Sequence, residues 1–416
     1  MRVLHVSWEY PPLVYGGLGH HVHALAVAQA AAGHDVVVVT QLAGTGAAPD
    51  EVVEGVRVVR AAFDPLRIDD LLGWVAGLGR ALARSGAALA PAWTPDVVHA
   101  HDWVVADAAR RLCDGLGAPL VVTLHATEAG RHQGWLPSEM SRAIHRSEWR
   151  LAHDARRVVT SSDAMRREVL TLFDADPARV TVVRPGLDVT RWRARPRDVA
   201  AVRERHAGEG PLLVTGARLE YEKGVHTLLD ALPRLRRRFP GLRLVVAGRG
   251  SQREALEHQV RALRLGRAVD LVGWLDARAL AATLAAGDLA VLPSVYEPFG
   301  LVALETVAQG TPLVVARTGG LAETVVDGVT GRTFTPLDPR DLAEVATEVL
   351  LDPGVATRMA RAAVARLRTE HDWASAAALT TDVYAAAVAE RATGTALRRR
   401  RFVPREGDLL AGVRGQ

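Results

Sequence analysis

Short, unbroken apolar runs alternate with helical stretches along the whole chain, and that alternation limits the fold more than any other feature. Residues 3–7 are followed by a glycine loop and a helix expected over 20–32, and residues 36–40 form a run rich in valine. Residues 97–101, 120–124, 157–160 and 180–183 repeat the pattern. A strand with one solvated face places a polar residue at every second position, whereas a strand covered on both faces is apolar throughout. Runs of the second kind joined by helices predict parallel strands in a doubly wound α/β sheet. A second cycle begins at residues 212–215 and continues through 242–247, 269–272, 289–292 and 313–316. A chain of 416 residues is too long for one ordinary core. Two domains are therefore expected, 1–190 and 208–373, with the Arg- and Pro-rich stretch 188–210 as linker. Beyond Asp338 the pattern is helical to about Arg391. Residues 374–396 are expected to pack back on the first domain, and 397–416 to form a flexible basic tail. Two such domains facing a cleft suit a nucleotide-bearing ligand held at the carboxyl ends of the strands.

Hydrophobic content of 49% and charged content of 24% are those of a soluble globular protein. The single cysteine, Cys113, excludes an internal disulfide and a cysteine-based zinc site. The start, Met1-Arg-Val-Leu-His-Val-Ser, reads as a strand rather than a leader. No run reaches the roughly 18 apolar residues of a membrane span. The expectation is a soluble, cytoplasmic protein. The net charge is +4, with basic clusters at 191–197, 234–238 and 398–401. No aromatic ladder alternates with them, which argues against nucleic acid as partner. Peripheral contact with anionic lipid headgroups or an anionic acceptor stays open.

Of the 51 Lys and Arg residues only one is lysine, Lys223, within Arg218-Leu-Glu-Tyr-Glu-Lys-Gly224 directly after a strand-like run. Lysine is a compact point charge on a flexible stem and arginine a planar fork, so this pair suits a diphosphate. The loop Ser7-Trp-Glu9-Tyr-Pro-Pro-Leu-Val-Tyr15-Gly16-Gly17-Leu-Gly19 opens a helix whose positive end can cradle an anion. It is not a dinucleotide fingerprint. More specific is Ser294-Val-Tyr-Glu297-Pro-Phe-Gly300-Leu301-Val-Ala-Leu-Glu305, where a loop opens a helix and offers the amides of Gly300 and Leu301 to phosphate. Thr318-Gly-Gly-Leu-Ala-Glu323 adds another glycine loop. Structural turns explain each loop singly but not all of them together with Arg218 and Lys223. His20 and His23 on one helix, and His99 and His101 on one strand, have ligand-like spacing. Such pairs are usually polar lining, and no metal is assigned.

These motifs resemble those of retaining GT-B glycosyltransferases of family 4, with their glycogen and starch synthase relatives, over roughly residues 1–390. The matching pieces are Glu9-x-x-Pro with Gly16-Gly17-Leu18, His101-Asp102-Trp103, Thr123-Leu-His125, Arg218-Leu with Lys223-Gly224, Glu297-x7-Glu305 and Gly310-Thr-Pro. The opening looks most like bacterial, typically actinobacterial, α-1,4-glucosyltransferases that extend glycogen or methylglucose polysaccharides. The resemblance implies two Rossmann-like domains and a nucleotide-sugar donor, UDP-glucose or ADP-glucose, with an oligo- or polysaccharide acceptor. It implies no cofactor and no metal. Arg218 and Lys223 would hold the diphosphate, and Gly16, Gly17, Gly300 and Leu301 would add backbone donors. Glu305 would bind the ribose, and Glu297 the far hydroxyls of the sugar. His125 would lie near the reacting carbon, and Asp102 would orient hydroxyls. Glu9, Tyr15 and Trp135 are candidate acceptor contacts.

The sequence departs from the glycogen synthase pattern at Tyr15, where those enzymes carry lysine, and at Ala126, where they carry asparagine. Pro185-Gly-Leu-Asp188 replaces a common Pro-Asn-Gly-Ile-Asp. The alternatives are a family 4 transferase with another donor, such as GDP-mannose, or with a lipid or small-polyol acceptor, and a non-catalytic sugar-nucleotide binding subunit. Phosphorylase chemistry, which needs a lysine-bound pyridoxal phosphate, conflicts with the commitment of the one lysine. A nucleotide-sugar 2-epimerase would not need Glu297-x7-Glu305 with an acceptor cleft.

Overall fold

The computed structural model describes residues 1–394 and 402–411 apart from 43, 45, 64–69 and 191. The chain divides into two compact units, Met1–Gly186 with Trp373–Gln416, and Leu187–Asp372.

The first unit carries β1 (Arg2–Val6), α1 (Gly17–Ala31), β2 (Asp35–Leu42), β3 (Asp50–Val53), β4 (Val56–Ala62), α2 (Leu71–Ala87), β5 (Val97–His101), α3 (Ala106–Leu116), β6 (Leu120–Leu124), α4 (Glu128–Arg131), α5 (Glu139–Asp154), β7 (Arg157–Thr160), α6 (Asp163–Phe173) and β8 (Val180–Val182). Its sheet runs β3-β4-β2-β1-β5-β6-β7-β8, parallel except for β3 against β4. The central strands β5 and β6 are buried at every position, as their unbroken apolar runs require. Ser138 and Ser162 accept first-turn amides of α5 and α6, which fixes where those helices begin.

The second unit carries α7 (Pro196–His206), β9 (Leu212–Gly216), α8 (Val225–Arg238), β10 (Arg243–Ala247), α9 (Arg253–Ala262), β11 (Val269–Gly273), α10 (Ala277–Ala286), β12 (Leu289–Leu292), α11 (Leu301–Ala308), β13 (Leu313–Ala316), α12 (Leu321–Thr324), β14 (Arg332–Phe334), α13 (Pro339–Leu351) and α14 (Pro353–Glu370). Its all-parallel sheet runs β11-β10-β9-β12-β13-β14. The last helix, α15 (Trp373–Ala392), returns to the first unit. Its Val383, Tyr384 and Ala387 pack on Val3, Val97, Val121 and Val159 of the sheet.

Three expectations need correction. The stretch 188–210 is not linker alone: α7 occupies its middle, and Val199 and Val202 are partly buried against a core cluster of the second unit. The first helix starts at Gly17 rather than His20. The tail is not uniformly loose. Leu410 is buried in the core of the first unit, Leu409 N donates to Gly134 O at 2.8 Å, and Phe402 meets Trp149 edge-on. The basic run 398–401 lies outside the described residues. Among the described residues, no helix is long and apolar enough to cross a membrane.

Candidate active site

In each sheet the strand order reverses at one place, between β1 and β5 in the first unit and between β9 and β12 in the second. Helices leave such a point in opposite directions and open a crevice at the carboxyl ends of the strands. Most of the predicted residues lie on the segments that follow β1, β5, β6, β9 and β12, whereas Trp135 lies farther along, between α4 and α5.

In the second unit the loop after β9 carries Arg218 and Lys223, and the loop after β12 carries Ser294 and Glu297. The backbone joins the loops, because Val295 N and Tyr296 N both donate to Glu222 O, at 2.8 and 3.1 Å. Lys223 Nζ donates to Glu297 Oε2 at 2.7 Å, and Ser294 Oγ donates to the same oxygen at 3.2 Å. Arg218 donates to Glu222 Oε1 at 3.2 Å, with its side chain less than half exposed. Gly224 explains the tightness of this corner: its φ is +65°, and a Cβ there would fall 1.9 Å from Pro293 O. Gly300, with φ +93°, caps α11, and Leu301 is its first residue. Glu305 is buried on α11, and burial pushes its carboxyl up to about 8. At neutral pH it is mostly protonated and able to donate as well as accept.

In the first unit His5 lies on β1, His99 and His101 on β5, Asp102 just after β5 and His125 just after β6. Asp102 has a left-handed φ of 62°, and its Oδ1 accepts His125 N at 2.6 Å. Burial pushes its carboxyl up to about 7, against the lowering effect of that amide and of Arg131. Burial holds His5 down at about 4 and His125 at about 3, and keeps His21, His99 and His101 well below the usual range. All five rings are neutral. His5, His99 and His101, like His21, His101 and His125, bring ring nitrogens within 4.8 Å of one another. Both nitrogens of His5, His99 and His101 already have protein partners, which uses these rings as links in a hydrogen-bonded network.

The glycine loop behaves differently from its sequence reading. Glu9 is buried, and its carboxylate accepts Tyr15 N at 2.9 Å and Gly16 N at 3.0 Å. Glu9 therefore shapes the loop instead of reaching an acceptor, and the Gly16 amide is already committed. Gly17 opens α1. Tyr15 is 63% exposed and stacks on Trp8, and Trp135 is 54% exposed, so both remain open to a ligand. Sequence reasoning missed His5, Gln29 and Tyr384, which join the histidine network. The sign available was an unusual histidine within an apolar strand, His5.

Residues 15–191 match the Glycosyltransferase Family 4 profile, and residues 197–366 match Glycosyl transferases group 1. The chain is 48% identical over 400 residues to a glycogen synthase of Mycobacterium tuberculosis, covering 93% of this chain and 95% of that protein. It is 31% identical over 398 residues to a D-inositol 3-phosphate glycosyltransferase of Nocardioides, covering 90% and 86%. Sucrose-phosphate synthase from Thermosynechococcus elongatus shares its fold, with a TM-score of 0.81 and 23% identity over 93% of this chain and 99% of that one. With two parallel-sheet units, polar residues at both switch points and relatives matched through both units, the chain belongs to glycosyltransferase family 4 and is a GT-B glycosyltransferase.

Proposed function

We propose that the protein transfers glucose, with retention of configuration, from UDP-glucose or ADP-glucose to the 4-hydroxyl of an α-1,4-glucan or a methylglucose polysaccharide. The observation that carries the choice of sugar and acceptor is the 48% identity to a glycogen synthase across both units. The geometry supports the chemistry. Lys223 and Arg218 offer two cations at one switch point, and in this reading they take the charge that develops on the leaving diphosphate. Lys223 exchanges part of its bond with Glu297 for a phosphate oxygen, which frees Glu297 for sugar hydroxyls. The amides of Gly17, Gly300 and Leu301 add donors, and the protonated Glu305 serves the ribose. His125 and Asp102 receive the sugar, while Tyr15 and Trp135 offer aromatic faces to the acceptor. These cations and amides do the work a metal ion would otherwise do, so the reaction proceeds without metal or cofactor. Retention follows a front-face attack in which the leaving phosphate helps to deprotonate the acceptor hydroxyl.

The likeness to an inositol phosphate glycosyltransferase favours a second reading, a small polyol phosphate as acceptor. Release of nucleoside diphosphate from UDP-glucose, ADP-glucose and GDP-mannose, with and without maltooligosaccharides, separates the two. Acceptor-dependent release from a glucose donor, with the oligosaccharide growing by α-1,4 units and unaffected by EDTA, is expected. Release with no glucan but with an inositol phosphate would replace the glucan reading.

A further inference from the structure

Seven side chains of the first unit form one continuous hydrogen-bonded chain that ends at His125. From its far end, Thr123 Oγ1 lies 2.7 Å from His99 Nε2, and His99 Nδ1 lies 2.6 Å from the Tyr384 hydroxyl. Gln29 Nε2 donates to that hydroxyl at 3.1 Å, and Gln29 Oε1 lies 2.8 Å from His5 Nε2. His5 Nδ1 then meets His101 Nε2 at 3.0 Å, and His101 Nδ1 meets His125 Nε2 at 3.1 Å. The six links draw on β1, α1, β5, β6 and α15. Every member but His125 is buried.

The Gln29 amide gives this chain a direction. A neutral imidazole has one N–H and one lone pair, whereas an amide has a fixed donor end and a fixed acceptor end. Gln29 presents its carbonyl to His5, so the His5 proton is on Nε2 and its Nδ1 is an acceptor. His101 must then donate through Nε2, which leaves its Nδ1 as an acceptor for the Nε2–H of His125. The opposite arm obeys the same rule. The Gln29 NH2 donates to Tyr384, which passes its own hydroxyl proton to His99 Nδ1, and His99 Nε2–H reaches Thr123. Reversing one link without reversing all the others would place two protons, or two lone pairs, face to face in the core. A buried mismatch of that kind costs the desolvation of both groups.

We propose that Gln29 and Tyr384 are positioning residues that lock His125 in its Nε2–H tautomer, so that His125 Nδ1 presents a lone pair to a hydroxyl of the bound sugar. The inference rests on the sugar-contact reading of His125. It makes the site selective for a hydroxyl that donates at that position, and it gives α15 a part in the chemistry through Tyr384, 355 residues from Gln29 in sequence. Tyr384 carries the direction set by the amide into the other arm: its oxygen accepts the Gln29 NH2, and its own hydroxyl proton goes to His99 Nδ1.

The test is two-bond proton–nitrogen correlation of the full-length protein labelled with 15N-histidine at pH 7.5, with the His125 signals identified by their loss in His125→Gln. Wild-type His125, His101, His5 and His99 are expected as Nε2–H tautomers. A His125 ring protonated on Nδ1, or averaging between the two forms, would overturn the proposal. Tyr384→Phe removes one hydroxyl and almost no volume, and Gln29→Leu removes the directing amide. Each is expected to convert His125 to a mixture of tautomers and to lower kcat about tenfold. A smaller change in donor KM and an unchanged fold by circular dichroism should accompany this. Variants that keep the wild-type tautomer yet lose activity would assign these residues a structural role only and sink the inference. The sugar-contact reading fails separately, if His125→Ala turns over at the wild-type rate while the wild-type spectrum shows the expected tautomers.

Discussion

Asp102 is a carboxyl held by a backbone amide in a buried corner, and its raised pKa has a definite sign. Unfolded, the group ionises near 3.9, and folded near 7. The folded state therefore keeps a proton that the unfolded state gives up. The associated stability is fully present below about pH 4 and is lost as pH rises from 4 to 7. Asp102→Asn keeps an oxygen for His125 N and removes the titration. Relative to wild type, the variant should gain a few kcal/mol on going from pH 5 to pH 8 in urea unfolding, and parallel pH profiles would contradict that. Lys223→Ala should lower kcat by about a hundredfold or more with the fold intact by circular dichroism, as expected when one donor to developing charge is lost. An unchanged kcat would remove Lys223 from the diphosphate. Both residues were legible in the sequence, because each sits in a short motif directly after a strand. Gln29 and Tyr384 were not. Nothing near either residue signals the contact, and only the packing of α15 on the sheet creates it.

The loops and helices around the second switch point depend on two glycines. At Gly224 a left-handed φ coincides with a Cβ position 1.9 Å from a carbonyl oxygen, so strain and clash add. Gly224→Ala should cost roughly 2–4 kcal/mol by thermal unfolding, and it should weaken donor binding because it parts the Lys223 loop from the Glu297 loop. A variant as stable as wild type would show that the two loops move independently. Most strands were legible because burial on both faces leaves an apolar signature. The exceptions have physical reasons. β3 and β4 form an antiparallel edge whose polar residues interrupt the run, including Arg57 paired with Asp50. β14 spans only three residues. α7 buries no residue completely, and its charged face obscures the helical period. The glycine loop differs for another reason: of the two amides it offers by sequence, that of Gly16 is held by the buried Glu9 carboxylate, a contact that spacing along the chain does not signal.

The two units differ in how much of the chain each requires. The second is continuous from Leu187 to Asp372, whereas the first needs α15 to cover Val3, Val97, Val121 and Val159. Residues 187–372 expressed alone should unfold in a single cooperative transition. A chain ending at Asp372 should lose the fold of its first unit, since stripping one face of a central sheet removes burial comparable with the 5–15 kcal/mol that holds a domain together. A truncated chain that still melted in two steps would show that α15 is dispensable. The order of synthesis then matters. The amino-terminal sheet leaves the ribosome first, yet it waits while nearly two hundred further residues are translated, roughly 10–40 s at about 5–20 residues per second. During that interval the later-made unit can already be folded while the earlier one shows an uncovered valine face to the cell. The half of the protein made first is thus the half finished last, and a ribosome that stalls before Trp373 leaves behind a chain with one folded unit and one exposed to chaperones and proteases.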